Sequence, residues 1–64
     1  MKELVAIAID EDNNVRLDRW FKRYKPEITH ALLQKLLRKG LVRVNRKKVE
    51  TSYRVKEGDE IILK

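Results

Sequence analysis

The first fifteen residues of the chain change from a continuous apolar run to a polar segment. Residues 4–9 are all apolar and include Val and Ile side chains, a composition that favours a short strand. Residues 10–14 are acidic or amide residues, so they predict a polar turn. Asn14, at the end of this turn, is a suitable N-cap for a helix. We therefore expect a strand, a turn and the start of a helix in this segment.

A first helix is predicted from Val15 to Tyr24, because apolar residues recur there with a helical period. The side chains that share the apolar face are Leu17, Trp20, Phe21 and Tyr24. We assign them to the core rather than to base stacking, since a domain this small needs their apolar area. Pro26 prevents continuation of the helix and disfavours helical geometry at Lys25. The first helix is therefore short.

A second helix is predicted between Thr29 and Gly40. Thr29 is a good N-cap, and Gly40 stands where a left-handed residue commonly ends a helix. The predicted buried stripe is Leu33, Leu36 and Leu37, with Ile28 or Ala31 above them. The polar side is a ridge of Lys and Arg with Gln34, and the basic residues near the C-terminal end also suit the helix dipole.

Beyond Gly40 the apolar pattern has a period of two, which is typical of strands. A strand at residues 42–44 is followed by a predicted turn at Asn45-Arg46 and a return strand beginning at Lys48-Val49. A second turn is predicted at residues 57–59 and a last strand at residues 61–63. Tyr53 lies between them without a clear assignment. The order of elements predicts an α+β fold, with two short helices packed on a small, mainly antiparallel sheet.

The composition restricts the classes of protein to consider. A chain of 64 residues forms one domain, residues 1–64, and its lack of Cys excludes a disulfide framework and a thiolate metal site. One His gives no basis for a metal cluster, and we expect no cofactor. Met1 is followed by Lys2-Glu3 and only a short apolar stretch, so we expect neither a signal peptide nor a membrane span. The expected location is the cytoplasm.

The positive charge is concentrated in the middle of the chain. Residues 16–48 contain twelve Lys or Arg and two acids, whereas the whole chain has a net charge of +6. A domain that is merely well solvated mixes the two signs, so this asymmetry indicates a surface that meets a polyanion.

The ordered motifs resemble the S4-type RNA-binding domain. The resemblance is carried by Arg16-Leu17-Asp18 at the first helix and by Thr29 with residues 36–40 (LLRKG) in the second. It is completed by residues 42–45 (VRVN), by Lys47 and Val49, and by Val55, Gly58, Asp59 and Ile61. With residues 16–20 (RLDRW) and 34–40 (QKLLRKG), the chain is most similar to the N-terminal domain of large-subunit rRNA pseudouridine synthases of the RluC/RluD type. The apolar stretch before the first helix agrees with that family.

The resemblance implies a module that binds structured ribosomal RNA and positions a catalytic domain. In that family the isomerase chemistry belongs to a separate, larger domain, so we expect this chain to be an N-terminal fragment of a longer enzyme and not itself an enzyme. Asp18 lies in an Arg-Leu-Asp triplet, as the family's catalytic Asp does, but lacks its flanking His and Thr-Ser-Gly loop. We interpret Asp18 as structural, favoured near a helix start and able to orient a basic neighbour.

Three positions depart from the family pattern. The turn after Val44 is Asn45-Arg46 where Asn-Gly is usual, and a type I′ turn would require a positive φ at Arg46. His30 stands where Arg is usual, and Leu32 replaces a frequent basic residue. These last two changes weaken the expectation that the start of the second helix grips a phosphate.

Thirteen residues are candidate RNA contacts. The candidates for phosphate are Arg16, Arg19, Arg23, Lys35, Arg38, Lys39, Arg43, Arg46, Lys47 and Lys48. Arg can meet two phosphate oxygens with its planar fork, whereas Lys supplies a point charge. Gln34 and Asn45 could contact a base edge or a 2′-hydroxyl, and His30 could stack on a base or contact a phosphate. His30 could equally be an ordinary residue of the first helical turn, and for Asn45 the role of turn former is the stronger interpretation.

Other functions fit the sequence less well. A stand-alone S4-type RNA-binding protein is one alternative, and a DNA-binding helix-turn-helix that uses residues 29–39 as its recognition helix is another. Trp20-Phe21 beside basic residues also suits a membrane-surface helix, but the same face is needed inside the fold. The chain has no nucleophile–base set, no paired carboxylates on one helix face and no Gly-rich phosphate loop, so nothing favours an enzyme.

Overall fold

A computed structural model describes residues 3–64, and this part of the chain folds into two helices and three strands. The elements are β1 (Leu4–Ile7), a 3₁₀ turn (Asp10–Asp12), α1 (Leu17–Tyr24), α2 (His30–Arg38), β2 (Val42–Val44) and β3 (Glu60–Leu63). This order confirms the predicted α+β fold. Met1 and Lys2, on which the signal-peptide expectation rests, lie outside the described residues.

The three strands form one antiparallel sheet with β3 in the centre, in the order β1-β3-β2. Ala6, Ile61 and Val44 share one row across it and face the helices. The strand predicted at residues 4–9 is present but ends at Ile7. It ends there because Ala8 bonds with the turn at Gly58 and Asp59, after which the chain bends into the 3₁₀ turn.

A small core lies between the sheet and the two helices. Its buried apolar side chains are Ala8, Leu17, Trp20, Phe21, Leu33, Leu37, Val42, Val44, Val55 and Ile61. Ile28 packs against this cluster and Ala31 is exposed, so Ile28 completes the stripe of α2. The core assignment of Tyr24 is wrong: its side chain is 41% exposed. Its ring lies against Trp20 at 4.8 Å, and its hydroxyl donates to Asp12 Oδ1 at 2.7 Å.

The start of α1 differs from the prediction. Asn14 is not an N-cap but has a left-handed backbone with φ of 70°. Residues 15 and 16 are extended because they pair with residues 54 and 55. The helix begins at Leu17, and its first amides donate to the carbonyls of Tyr53 and Thr51 at 2.8 and 3.1 Å. Backbone groups from a distant segment thus replace the side-chain cap.

Both predicted ends of α2 are confirmed. Thr29 Oγ1 accepts from the amide of Leu32 at 3.2 Å. Gly40 has a φ of 74°, and the amides of Gly40 and Leu41 donate to the carbonyls of Leu37 and Leu36. The positive φ favours glycine at this position, and a Cβ would lie 3.0 Å from the Arg43 guanidinium, which would have to shift slightly.

The turn at Asn45-Arg46 has positive φ at both residues, 52° and 67°. Val44 and Lys47 exchange two backbone hydrogen bonds of 3.0 Å around it, which is the geometry of a tight hairpin turn. The predicted return strand from Lys48 is wrong, because pairing ends at Lys47 and β2 pairs with β3 instead. The predicted turn at residues 57–59 and the last strand are confirmed.

Candidate nucleic-acid interface

The C-terminal half of α2 forms one wall of an open groove of about 600 Å³. The opposite wall is the segment that follows the hairpin turn, residues 48–52. Three of the thirteen candidate residues, Gln34, Arg38 and Lys48, line this groove together. The groove therefore combines positive charge, an amide side chain and an apolar floor that includes Leu37 and Val49.

The second wall of the groove is held by backbone hydrogen bonds although it is not a strand. The amide of Tyr53 donates to the carbonyl of Glu50 at 3.1 Å, which closes a turn. The carbonyls of Thr51 and Tyr53 accept from the first amides of α1, and Val49 packs against the core. The same contacts that cap α1 thus fix residues 49–53 beside α2.

A second hollow, of about 500 Å³, lies between α1 and α2. Its charged and polar lining comprises Asp18, Arg19, Lys22, Thr29 and His30. Arg19 and His30 were candidates from the sequence, and the structure brings them to one recess. Lys22 was missed, although its i+3 spacing from Arg19 places both on one side of α1.

Asp18 orients a basic neighbour, Arg16, as the sequence interpretation predicted. Its two oxygens accept from the Arg16 guanidinium at 3.1 and 3.2 Å, and Oδ1 also accepts from the amide of Arg19. His30 Nδ1 lies 4.0 Å from Oδ2. Burial alone would raise the pKa of Asp18, but the hydrogen bonds and charge of Arg16, helped by Arg19 and His30, outweigh it and lower that pKa. Asp18 therefore stays ionised and orients Arg16.

Arg43 and Lys48 converge over the end of α2. Arg43 Nε donates to the carbonyl of Gly40 at 2.9 Å, where the helix presents unpaired carbonyls. The Lys48 side chain lies over the same glycine. Arg43 is half-buried and does not itself line the groove beside α2.

Four further candidates are exposed on α2 and the hairpin turn. They are Lys35, Lys39, Arg46 and Lys47. Within residues 3–64 none of their side chains has an ion-pair partner, so their charges face solvent. They extend the positive surface around the groove.

Asn45 has a structural role in the hairpin turn. Its amide nitrogen donates to Asp59 Oδ1 at 2.9 Å, and its amide oxygen accepts from the amide of Glu60 at 2.9 Å. Both ends of the side chain therefore fix the turn against β3. This confirms the interpretation of Asn45 as a turn former.

Asp59, 8% exposed, is the centre of that arrangement. It accepts from the Tyr53 hydroxyl at 2.7 Å and from the amide of Lys56 at 2.9 Å, in addition to Asn45. Burial would raise its pKa, but these hydrogen bonds outweigh it and lower the pKa of Asp59. The hydrogen bond from the Tyr53 hydroxyl to Asp59, together with burial, raises the pKa of Tyr53 to about 12. Tyr53, unassigned from the sequence, is a structural residue.

Arg23 lies apart from the other candidates. Its guanidinium is 3.8 Å from Glu11 Oε2 and 5.6 Å from the centre of the Tyr24 ring. It lines neither the groove nor the recess between the helices. The structure thus groups Arg23 with the acidic 3₁₀ turn.

Sequence reasoning missed the polar residues that complete the groove: Glu50, Thr51 and Ser52. Positive charge marked the candidates, and these residues carry none. Their position depends on the bonds between residues 51–53 and α1, which have no local signal in the sequence. None of the helices in the described residues is long and apolar enough to cross a bilayer.

The fold and this surface define a small α+β domain. Its basic face is built around α2 and the hairpin turn that follows β2. A model of the S4 domain family matches residues 15–61, which cover both helices, β2 and the first half of β3. The chain belongs to the S4 domain family.

The relatives of this chain are longer proteins. The chain is 46% identical over 59 residues to ribosomal large subunit pseudouridine synthase C of Rickettsia bellii, a match covering 92% of this chain and 20% of the relative. The proteins of the same name from Salmonella typhi and Escherichia coli are 36% and 34% identical over 59 residues. Those matches cover 92% of this chain and 18% of each relative. The chain thus spans about a fifth of the length of these relatives.

Proposed function

We propose that this domain binds structured ribosomal RNA and positions the catalytic domain of a pseudouridine synthase on it. The observation that carries the proposal is the basic surface around α2, on which Arg38, Lys48 and Gln34 share one groove. Charges placed on short, rigid elements suit the phosphates of a folded RNA. Membership of the S4 family and the names of the relatives support the same role.

Recognition would depend on shape and phosphate geometry. The deep, narrow major groove of an A-form helix is closed to side chains, so contacts go to phosphates, 2′-hydroxyls and unpaired bases. Arg16, held by Asp18, and the recess at Arg19 and His30 provide a second set of donors. The chemistry of isomerisation would reside in the catalytic domain. Since its proposed target is ribosomal RNA, the protein would act in the cytoplasm.

Comparative binding at several salt concentrations tests this proposal. An rRNA-derived hairpin, a DNA duplex and a single strand of matched length are titrated with the protein. Counterion release predicts a linear fall of log affinity with log salt, and its slope reports the number of phosphates engaged. We expect a steep slope and a clear preference for the RNA hairpin. Equal affinity for the DNA duplex would contradict the proposal, and preference for one DNA sequence would favour a helix-turn-helix function.

A further inference from the structure

The groove between α2 and residues 48–52 has features that phosphate binding alone does not require. The groove is open to solvent, and its volume of about 600 Å³ leaves room for one nucleotide. Leu37 and Val49 contribute apolar lining, and positive charge stands on both walls, at Arg38 and at Lys48. A base with its attached phosphate has this combination of an apolar face and a negative group.

Glu50 is the one carboxylate in the lining of this groove. Within residues 3–64 it has no ion-pair partner, although Arg38 and Lys48 line the same hollow. A free carboxylate repels phosphate but accepts hydrogen bonds from N–H groups. It therefore suits the edge of a base and not the backbone of a nucleic acid.

Among the four bases of RNA, guanine alone presents two adjacent N–H donors on its Watson–Crick edge. Two parallel hydrogen bonds to one carboxylate are stronger and more selective than a single one. That edge is free only when the base is unpaired, as in a bulge or a loop. The backbone hydrogen bonds of residues 49–53 fix the segment that carries Glu50 beside α2, and its exposed side chain is free to meet a base.

We propose that this groove holds one unpaired nucleotide of the bound RNA and that Glu50 selects guanine there. The base lies over Leu37 and Val49, its phosphate is directed to Arg38 and Lys48, and its Watson–Crick edge meets Glu50. Gln34 and the hydroxyls of residues 51 and 52 are placed to bond its remaining polar atoms. This inference rests on the proposed RNA binding and adds a specificity to it.

The test uses one RNA hairpin in five forms: fully paired, or with a single bulged G, A, C or U. We expect the bulged G form to bind about tenfold more tightly than the bulged U form, the size of one good bidentate contact. Glu50→Gln should reduce this preference to about twofold or less, since an amide offers only one acceptor. Glu57→Gln is the matched control: it removes the same charge from an exposed turn outside the groove and should keep the preference.

The outcomes separate this inference from the function on which it rests. Steep salt dependence on the paired hairpin with no gain from any bulge would overturn the nucleotide site while RNA binding stands. A gain from the bulge that is equal for all four bases, or that Glu50→Gln leaves intact, would overturn the role of Glu50. Failure to bind any of the hairpins would overturn both proposals. Circular dichroism of each variant verifies that it is folded.

Discussion

Asp59 joins three parts of the chain at one buried carboxylate. Its partners are the Tyr53 hydroxyl, the Asn45 side chain and the amide of Lys56. These bonds hold the hairpin turn, the segment beside α1 and the turn before β3 in fixed positions. Asp59 is not a candidate RNA contact, but it holds in place the hairpin turn that carries several of the candidates.

Replacing Asp59 by Asn should destabilise the domain. The Asn side chain keeps one acceptor oxygen but has an NH₂ group in place of the other carboxylate oxygen. At least one of the donors from Asn45, Tyr53 and Lys56 therefore loses its acceptor. We expect a loss of about 2 kcal/mol in the free energy of unfolding, within the range for hydrogen bonds to a charged group. Urea denaturation at pH 7 measures it. Glu57→Gln, at an exposed site, should change stability by less than about 0.5 kcal/mol, and an equally small effect at Asp59 would contradict the account.

Three carboxylates make the free energy of unfolding depend on pH in the acidic range. The pKa values of Asp12, Asp18 and Asp59 all lie below their ordinary value of 3.8, because hydrogen bonds outweigh burial at each. A lowered pKa in the folded state contributes stability above pH 3.8 that is lost as the pH falls through the folded pKa. We expect a stability plateau near neutral pH and a decline below about pH 4 in thermal melts. Asp59→Asn should make this decline shallower, and an unchanged slope would argue against the lowered pKa.

Tyr53 should ionise late. In Tyr24→Phe it is the only remaining tyrosine, because the chain has two. Folding raises its pKa from 10.0 to about 12, so tyrosinate absorbance should develop near pH 12. The stability that this hydroxyl contributes is fully present below pH 10.0 and is lost as the pH rises toward 12. The same variant in denaturant should titrate near pH 10, and an identical midpoint in both solvents would show that the hydrogen bond to Asp59 is absent.

At the scale of elements, the sequence predicts best what is decided locally. Thr29 and Gly40 mark the ends of α2 because each acts on its own helix. The start of α1 was mispredicted because its capping carbonyls belong to Thr51 and Tyr53, far along the chain. The predicted return strand from Lys48 is absent because β2 pairs with β3, which is also far along the chain.

The candidate site shows the same division. Positive charge and helical spacing located the residues of α2 and the recess beside Arg19. They could not show that the Asn45 side chain bonds with Asp59 and Glu60, or that Arg23 lies beside Glu11. Nor could they include Glu50, which reaches the groove only through tertiary contacts.

The hairpin turn should gain stability when Arg46 is replaced by Gly. A φ of 67° is unfavourable for a side chain with a Cβ but ordinary for glycine. We expect a gain of about 0.5–1 kcal/mol, or a melting temperature a few degrees higher. The lost charge should also weaken RNA binding.

Lys47→Gly provides the control for that turn. It removes the same charge from a neighbouring position whose φ is not positive, so it should destabilise the domain through added flexibility of the unfolded chain. If both variants lose stability equally, the strain at Arg46 is not relieved by glycine.

At the scale of the whole molecule, the buried acids and the exposed basic residues have different roles. Asp12 accepts the hydrogen bonds that stabilise the 3₁₀ turn, and Asp59 accepts those that stabilise the turn before β3. Basic residues gather around α2 and the hairpin turn, where within residues 3–64 few have ion-pair partners. One part of the chain thus supplies stability and another supplies the surface for a polyanion.

The most direct test of this account is a comparison of two double variants in binding to an rRNA hairpin. Arg38→Ala with Lys48→Ala removes two charges from the groove, and Lys56→Ala with Lys64→Ala removes two exposed charges outside its lining. We predict that the groove variant binds about tenfold or more weakly and that its salt slope falls by about one for each phosphate it no longer engages. The control variant should lose little affinity, and both should keep their circular dichroism. Equal losses of affinity would show that only net charge matters and would contradict the assignment of the RNA interface to α2.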